Sequence, residues 1–432
     1  MRNLKNIKHA AYQLHSGLPL AAHAWDTATE SLICAFGPTS GNDVLELRRV
    51  GVKSAHDESA STLIASWDAP CPLQGLPVDK VLDLHHFGHN ETSCVVLAGG
   101  DIVVVRSQPL PGQDKIEIVG SVEVGITAAS WSPDEELLAV TTRAGTLIFM
   151  TADFDSVANV TFEPQDAKLS KHVNVGWGKK ETQFQGKRAK ALRDPTMPEY
   201  VDEGTKSEFD EGQVTISWRG DGAFVAVNSA EENSRRMIRV FSREGVLESV
   251  TEPVDGLESA LSWRPAGNLL AGIQRKHDEV QIVFFERNGL RHGQFSLRLT
   301  AEDAQTWGAH IQLHWNTDSS VLTVVYDDRI QLWTMGNYHY YLKQEERFES
   351  EAGKSRPTVA WHPESALRLA IALPRNSANS AGDSLRLLEY VLAVSSGSPM
   401  PPKDFGSTVV IDGRESNMLK ESSREEFMLT WT

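Results

Sequence analysis

One short pattern recurs along this chain at a spacing that few architectures can use. Ala129-Ser-Trp-Ser-Pro-Asp-Glu-Glu-Leu-Leu-Ala-Val140 is followed by Gly145-Thr-Leu-Ile-Phe-Met150. The design returns as Ile216-Ser-Trp-Arg-Gly-Asp-Gly-Ala-Phe-Val-Ala-Val227, as Leu261-Ser-Trp-Arg-Pro-Ala-Gly-Asn-Leu-Leu-Ala-Gly272 and as Leu313-His-Trp-Asn-Thr-Asp-Ser-Ser-Val-Leu-Thr-Val324. A degenerate copy, Val359-Ala-Trp-His-Pro-Glu-Ser, opens a further unit. With Trp177 included, the tryptophans from Trp131 to Trp361 step by 46, 41, 45, 52 and 46 residues. Earlier units open at Leu84 and Trp25.

Each unit reads as an apolar β-rich run, a turn rich in Pro, Asp or Gly, a second apolar run, and a β-branched or aromatic run. Turn residues between short apolar runs mark hairpins. Hairpins repeated near 45 residues are the signature of four-stranded propeller blades. A helical solenoid of similar period would need apolar i, i+3, i+4 stripes, which these units lack. The tryptophan serves as an apolar plug between blades. The expected fold is therefore all-β, a seven-bladed WD40-like β-propeller over 1–348 with the N-terminal strand completing its last blade. The unit near Lys354 would then start a second, incomplete propeller over 349–413, and 414–432 reads as an irregular tail. A single eight-bladed ring is the alternative.

The 432 residues carry a net charge of −16, so the average field disfavours phosphate backbones. Cys34, Cys71 and Cys94 are too scattered for a disulfide framework or a CxxC metal pair, which fits a reducing compartment, with the cytoplasm as the expected location and the nucleus as a second. The polar start lacks the apolar core of a signal peptide, and no run reaches the length of a membrane span.

No catalytic, cofactor-binding or metal residue stands out. His85, His86 and His89 are close in sequence but lack a neighbouring Cys or HExxH spacing. Gly353-Lys354-Ser355 has Phe348 where a P-loop needs glycine. His310 and His314 flank a buried-strand pattern and read as structural. The exception to even spacing follows Trp177, where Lys179, Lys180, Lys187, Arg188, Lys190 and Arg193 form a basic run. An acidic stretch to Glu211 comes next. Such a run on a rigid ring suits RNA phosphates or an acidic partner. The competing reading folds the basic half against the acidic half.

Several blocks resemble the largest subunit of the Elongator complex. They are Met1-Arg-Asn-Leu-Lys5, Val175-Gly-Trp-Gly-Lys-Lys-Glu-Thr-Gln-Phe184, Thr215-Ile-Ser-Trp-Arg-Gly-Asp-Gly222, Phe284-Phe-Glu-Arg-Asn-Gly-Leu-Arg-His-Gly293 and Leu332-Trp-Thr-Met-Gly-Asn-Tyr-His-Tyr-Tyr-Leu-Lys343. The resemblance implies a non-catalytic scaffold for modifying wobble uridines of transfer RNA. In that family the scaffold holds a catalytic radical-SAM and acetyltransferase subunit and a second propeller subunit, and transfer RNA is met through the complex. It implies two N-terminal propellers, a helical solenoid and a C-terminal dimerisation region that this chain does not reach. The resemblance fades after Gly413. Two other readings remain open: an independent propeller module that binds peptides or modified tails at its channel, and a propeller hydrolase or oxidoreductase with ionisable groups converging at the axis.

Overall fold

A sheet covered on both faces should show strands that are apolar throughout rather than alternating. Leu137–Thr142 and Ser31–Phe36 are buried at all six positions each. The computed structural model describes residues 3–392 apart from 15, 52–60, 167–203, 231–234, 277–278, 298, 307–309, 349–355 and 375–382, with the backbone of 408–412 and 415–419.

Seven four-stranded antiparallel sheets make up the ring. Blade 1 runs from β2 (Leu20–Asp26) to β5 (Ser61–Asp68), and blade 2 from β6 (Val81–Phe87) to β9 (Ile116–Ser121). Blade 3 runs from β10 (Ile126–Trp131) to β13 (Ser156–Thr161), and blade 4 from β14 (Thr215–Trp218) to β17 (Leu247–Val250). Blade 5 spans β18 (Leu257–Trp263) to β21 (Arg291–Ser296), and blade 6 spans β22 (Gln312–Trp315) to β25 (His339–Arg347). Blade 7 comprises β26 (Thr358–Trp361), β27 (Arg368–Leu373) and β28 (Ser384–Leu392), with the N-terminal β1 (Leu4–Gln13) as its outer strand. The first strands of successive blades are neighbours, so they surround the axis.

The seven-bladed, all-β reading holds, with two corrections to its bookkeeping. Between Trp131 and Trp218 lies one blade plus a long insert, not two blades, because β13 ends at Thr161 and β14 starts at Thr215. The gap matched two periods by number alone, and Trp177 lies outside the described residues. The unit at Trp361 belongs to this ring. Leu4 pairs with Leu392 and the ladder runs to Gln13 with Ser384, closing the circle and covering the outer edge of β28. The boundary expected at 348 thus falls inside the propeller. A second propeller is not among the described residues; beyond the ring are β29 (Thr408–Asp412) and β30 (Glu415–Leu419), a separate two-stranded sheet. The latter lies within the stretch expected to be irregular.

The tryptophans do fill the seams between blades. Trp218 of blade 4 donates through Nε1 to Ser130 O of blade 3 at 3.0 Å, and Trp25 of blade 1 to Ala360 O of blade 7 at 3.1 Å. In both, the acceptor directly precedes the neighbouring blade's tryptophan. The serine before a tryptophan points the other way: Ser217 Oγ accepts from Trp263 N at 2.8 Å, and Ser262 Oγ from Trp315 N at 3.1 Å. Four residues after Trp131, Trp218, Trp263 and Trp315 the turn takes positive φ. Gly222 and Gly267 supply it at no steric cost, while Glu135 and Ser319 adopt it at φ 60 and 65.

Candidate functional site at the axial mouth of blades four to six

In a ring whose first strands all run alike, the connections from one blade's last strand to the next blade's first lie on one axial face. The basic insert is such a connection, and both its roots are fixed by buried charges. On the leaving side, Arg239, fully buried, donates to Asp166 at 2.9 Å and stacks 4.9 Å over Phe162. On the returning side, Gly204 N and Thr205 N donate to Asp255 at 2.7 and 2.6 Å. Ser207 donates to Glu258 at 2.9 Å, and Glu258 pairs with Arg275, whose guanidinium lies 4.3 Å from the Phe209 ring centroid. Arg236 Nε donates to Asp210 at 2.9 Å with both side chains buried. A lone buried charge costs several kcal/mol, so these pairs hold the strap of residues 204–214 in one place.

The strap overlies a cavity of about 230 Å³ lined by residues of β14, β18, β22 and the segments before them. Its rim carries His310, whose Nε2 lies 2.7 Å from Glu211 and whose Nδ1 lies 3.8 Å from Asp327. The hydrogen bond from His310 is the main reason that Glu211 ionises below the usual carboxylate range. Burial raises Asp327. Arg356 stands 3.8 Å from Glu211. Deeper, burial pushes His314 down to about 4, and its Nε2 has no hydrogen-bond partner. His23 is likewise lowered to about 4, first by burial and then by the nearby His314. It shares a 3.2 Å hydrogen bond with Thr358 through Nδ1, and its Nε2 is unpartnered. Both rings are neutral near pH 7. The volume falls below the several hundred Å³ of a small-molecule pocket and suits one inserted side chain or a few waters.

The residues singled out in the sequence fare unevenly. His310 and His314 meet at this cavity although each reads as structural in the sequence. The alternation Gln312, Leu313, His314, Trp315, with the second and fourth buried, is the signal for it. His85, His86 and His89 diverge. His85 and His89 share Glu135 of blade 3 at 3.0 and 3.7 Å, while His86, buried on β6, meets Ser93 at 2.9 Å and faces Asp26 of blade 1 at 3.5 Å. His85 and His86 lie on β6, and His89 sits in the turn that follows it. No group of three or more metal-competent side chains occurs among the described residues. Burial raises the Cys34 thiol to about 12 and the Cys94 thiol further.

The basic run Lys179, Lys180, Lys187, Arg188, Lys190 and Arg193 lies outside the described residues, as does Lys354. Its acidic sequel is partly described. Asp210 and Glu211 are committed to Arg236, His310 and Arg356 of the ring. Those partners were missed in the sequence because they stand 26, 99 and 145 residues away along the chain.

Comparison with known proteins places this ring. The family model described as ELP1 first N-terminal beta-propeller matches residues 1–364. Elongator complex protein 1 of Schizosaccharomyces pombe is 38% identical over 418 residues, covering 96% of this chain and 31% of that protein. Elongator complex protein 1 of Saccharomyces cerevisiae is 38% identical over 430 residues, covering 91% of the chain and 30% of the relative. The Arabidopsis thaliana protein of the same name is 29% identical over 382 residues, covering 85% and 26%. The chain spans about a third of the length of these relatives.

Proposed function

Because the chain belongs to the Elongator complex protein 1 family, we propose that it is a non-catalytic scaffold serving the modification of wobble uridines in transfer RNA, of the 5-methoxycarbonylmethyl and 5-carbamoylmethyl kind. The observation that carries this reading is a closed seven-bladed ring in a chain aligned almost end to end with relatives named for that complex. A ring with every blade paired offers rigid loops on two faces and a continuous outer edge, which is what a docking platform requires. Its partners are the radical-SAM and acetyltransferase subunit and a second propeller subunit, in the cytoplasm. The basic run from Lys179 to Arg193 is the segment we assign to RNA phosphates or an acidic partner surface.

The test is co-purification. The tagged full-length parent should bring down both partner subunits, and wobble-uridine modification should fall when the parent is deleted. Retention of full modification without it would sink the reading.

The axial cavity favours a second reading, a peptide-binding module that admits one side chain between His314 and the Glu211 rim. The two readings separate on the isolated chain. Peptides inserted at the cavity should perturb the His314 ring resonances, whereas a pure scaffold leaves them unmoved.

A further inference from the structure

Eleven large apolar side chains are exposed among the described residues, and four of them sit within eight positions on one hairpin of blade 6. They are Met335 (50% exposed), Tyr338 (97%), Tyr341 (44%) and Leu342 (37%). Blades 1, 2 and 3 show one apiece on their outer strands, Leu63, Ile118 and Val157, the scatter expected of any soluble surface. A cluster of four is different, because contiguous apolar surface marks interaction sites.

The hairpin is held rigidly from beneath. Tyr340 lies between the exposed tyrosines and points inward, stacked on Phe295 of blade 5 at 4.6 Å and on Phe284 at 4.9 Å. The turn places Asn337 and Tyr338 at φ 49 and 64, which aims the Tyr338 ring away from the protein. Aromatic anchors on a fixed backbone lose little entropy on binding.

Charge says what they would meet. On a chain of net charge −16, no Asp or Glu occurs between Arg329 and Gln344, and none precedes Asp26. Blade 7's outer strand β1 sits beside this hairpin's strand: Gln344 Nε2 donates to Leu4 O at 2.6 Å. The exposed positions of β1 include Lys5, Lys8 and His9 around Ile7. His339 is exposed on the hairpin, and Lys343 Nζ lies 5.5 Å from the Tyr341 ring centroid. The outer edge of blades 6 and 7 from Met335 to Lys343 and along the first residues of β1 is thus an apolar and basic strip on an acidic protein, bounded by Glu345 and Glu346 further along β25.

We propose that this strip docks a segment of a partner protein that carries acidic residues interleaved with apolar ones. Apolar side chains of the partner cover Tyr338, Tyr341 and Leu342, and its carboxylates face Lys5, Lys8 and Lys343. Met335, Leu342 and Ile7 have no use for a nucleic-acid backbone and favour protein over RNA. The proposal extends the scaffold reading, but its test uses none of the Elongator subunits, so the two fail separately.

The test is fluorescence anisotropy on the full chain with three probes: a short synthetic peptide alternating Asp or Glu with Leu or Phe, its counterpart with Lys for the acids, and oligouridine. The acidic peptide should bind, weaken with salt, and lose about tenfold in affinity in Tyr338→Gly and again in Lys5→Glu/Lys8→Glu. Glycine accepts the positive φ, so Tyr338→Gly keeps the fold, and an unchanged melting temperature checks this. Equal binding of the basic peptide, stronger binding of oligouridine, or affinity unaltered by Tyr338→Gly overturns the proposal. So does a concentration-dependent dimer abolished by Tyr338→Gly, which would make the strip a contact between copies.

Discussion

Blades 1–3 and blades 4–6 follow one repeat but are secured differently. The first three join through the connections 69–80 and 122–125 and through largely apolar seams, with Leu84, Phe87, Trp131 and Trp25 among the buried side chains and the His86–Asp26 contact as a polar exception. The second three carry long connections, including the insert after Thr161 and the segment around α1 (Ala301–Thr306). There the buried arginines collect: Arg236 and Arg239 in blade 4, Arg275 in blade 5 and Arg329 in blade 6, each paired with a carboxylate. The contrast teaches that apolar seams follow from the repeat, whereas a long connection must be pinned by residues chosen for one place. Apolar burial is non-directional and tolerates repetition. A buried ion pair is stable only with its own partner.

Breaking a seam should cost most. Trp218→Ala removes an indole packed 6.0 Å from Phe149 and its bond to Ser130 O, and should destabilise by about 3–5 kcal/mol in urea unfolding. A loss below about 1 kcal/mol would mean that the tryptophan is not the wedge.

Breaking an anchor sharpens the contrast. Arg236→Met strands Asp210 and should cost about 3 kcal/mol, while Arg236→Met with Asp210→Leu should recover about 1–2 of it. Recovery stays partial because Arg236 also donates to Gln213 O at 2.8 Å. A double variant as unstable as the single one would contradict a charge-compensating role.

The axial histidines give a smaller, pH-dependent effect. His23 and His314 have folded pKa values near 4, below the free imidazole value, so the unfolded chain binds more protons between about pH 4 and 6.5. Their stabilising contribution is complete above about pH 6.5 and is lost as pH falls toward 4. Asp83, raised to about 6 by burial, acts in the opposite sense, gaining as pH falls below 6. His314→Gln should therefore narrow its stability deficit against the parent by about 2 kcal/mol on going from about pH 7.5 to about pH 5. A pH-independent difference in melting would exclude this.

The smallest effect on stability belongs to the insert. Charge reversal at Lys179, Lys180, Lys187 and Arg188 should leave melting unchanged and lower RNA affinity, flattening the salt slope by roughly 0.7 per lost phosphate contact. Affinity unchanged at low salt would leave the segment a solvated connector.

Much of the ring could be read from Trp131, Trp218, Trp263, Trp315 and Trp361, because a plug at a fixed place in each hairpin is a local, repeated feature. The count of seven was legible too. Which unit was not a blade was less so, since spacing alone cannot tell a blade of 46 residues from an insert of similar length. Trp361 looked like the start of something new because its blade completes itself with β1, about 380 residues upstream. At the candidate site, His314 was visible as a polar position in an alternating strand. Glu211, Arg236 and Arg356 were indistinguishable from ordinary surface charges until the strap was seen to lie against blades 4 and 5, His310 and Arg356.

The amino-acid order by itself thus determined the blade, its turns and its seam tryptophans, because those depend on neighbours a few residues apart and on apolar area. Only the tertiary structure decided where the ring closes, which acids meet which buried arginines, and which edge gathers the exposed tyrosines with the lysines of β1. Those outcomes depend on chain segments brought together from far apart, where a charge finds or lacks its partner only after the circle is complete.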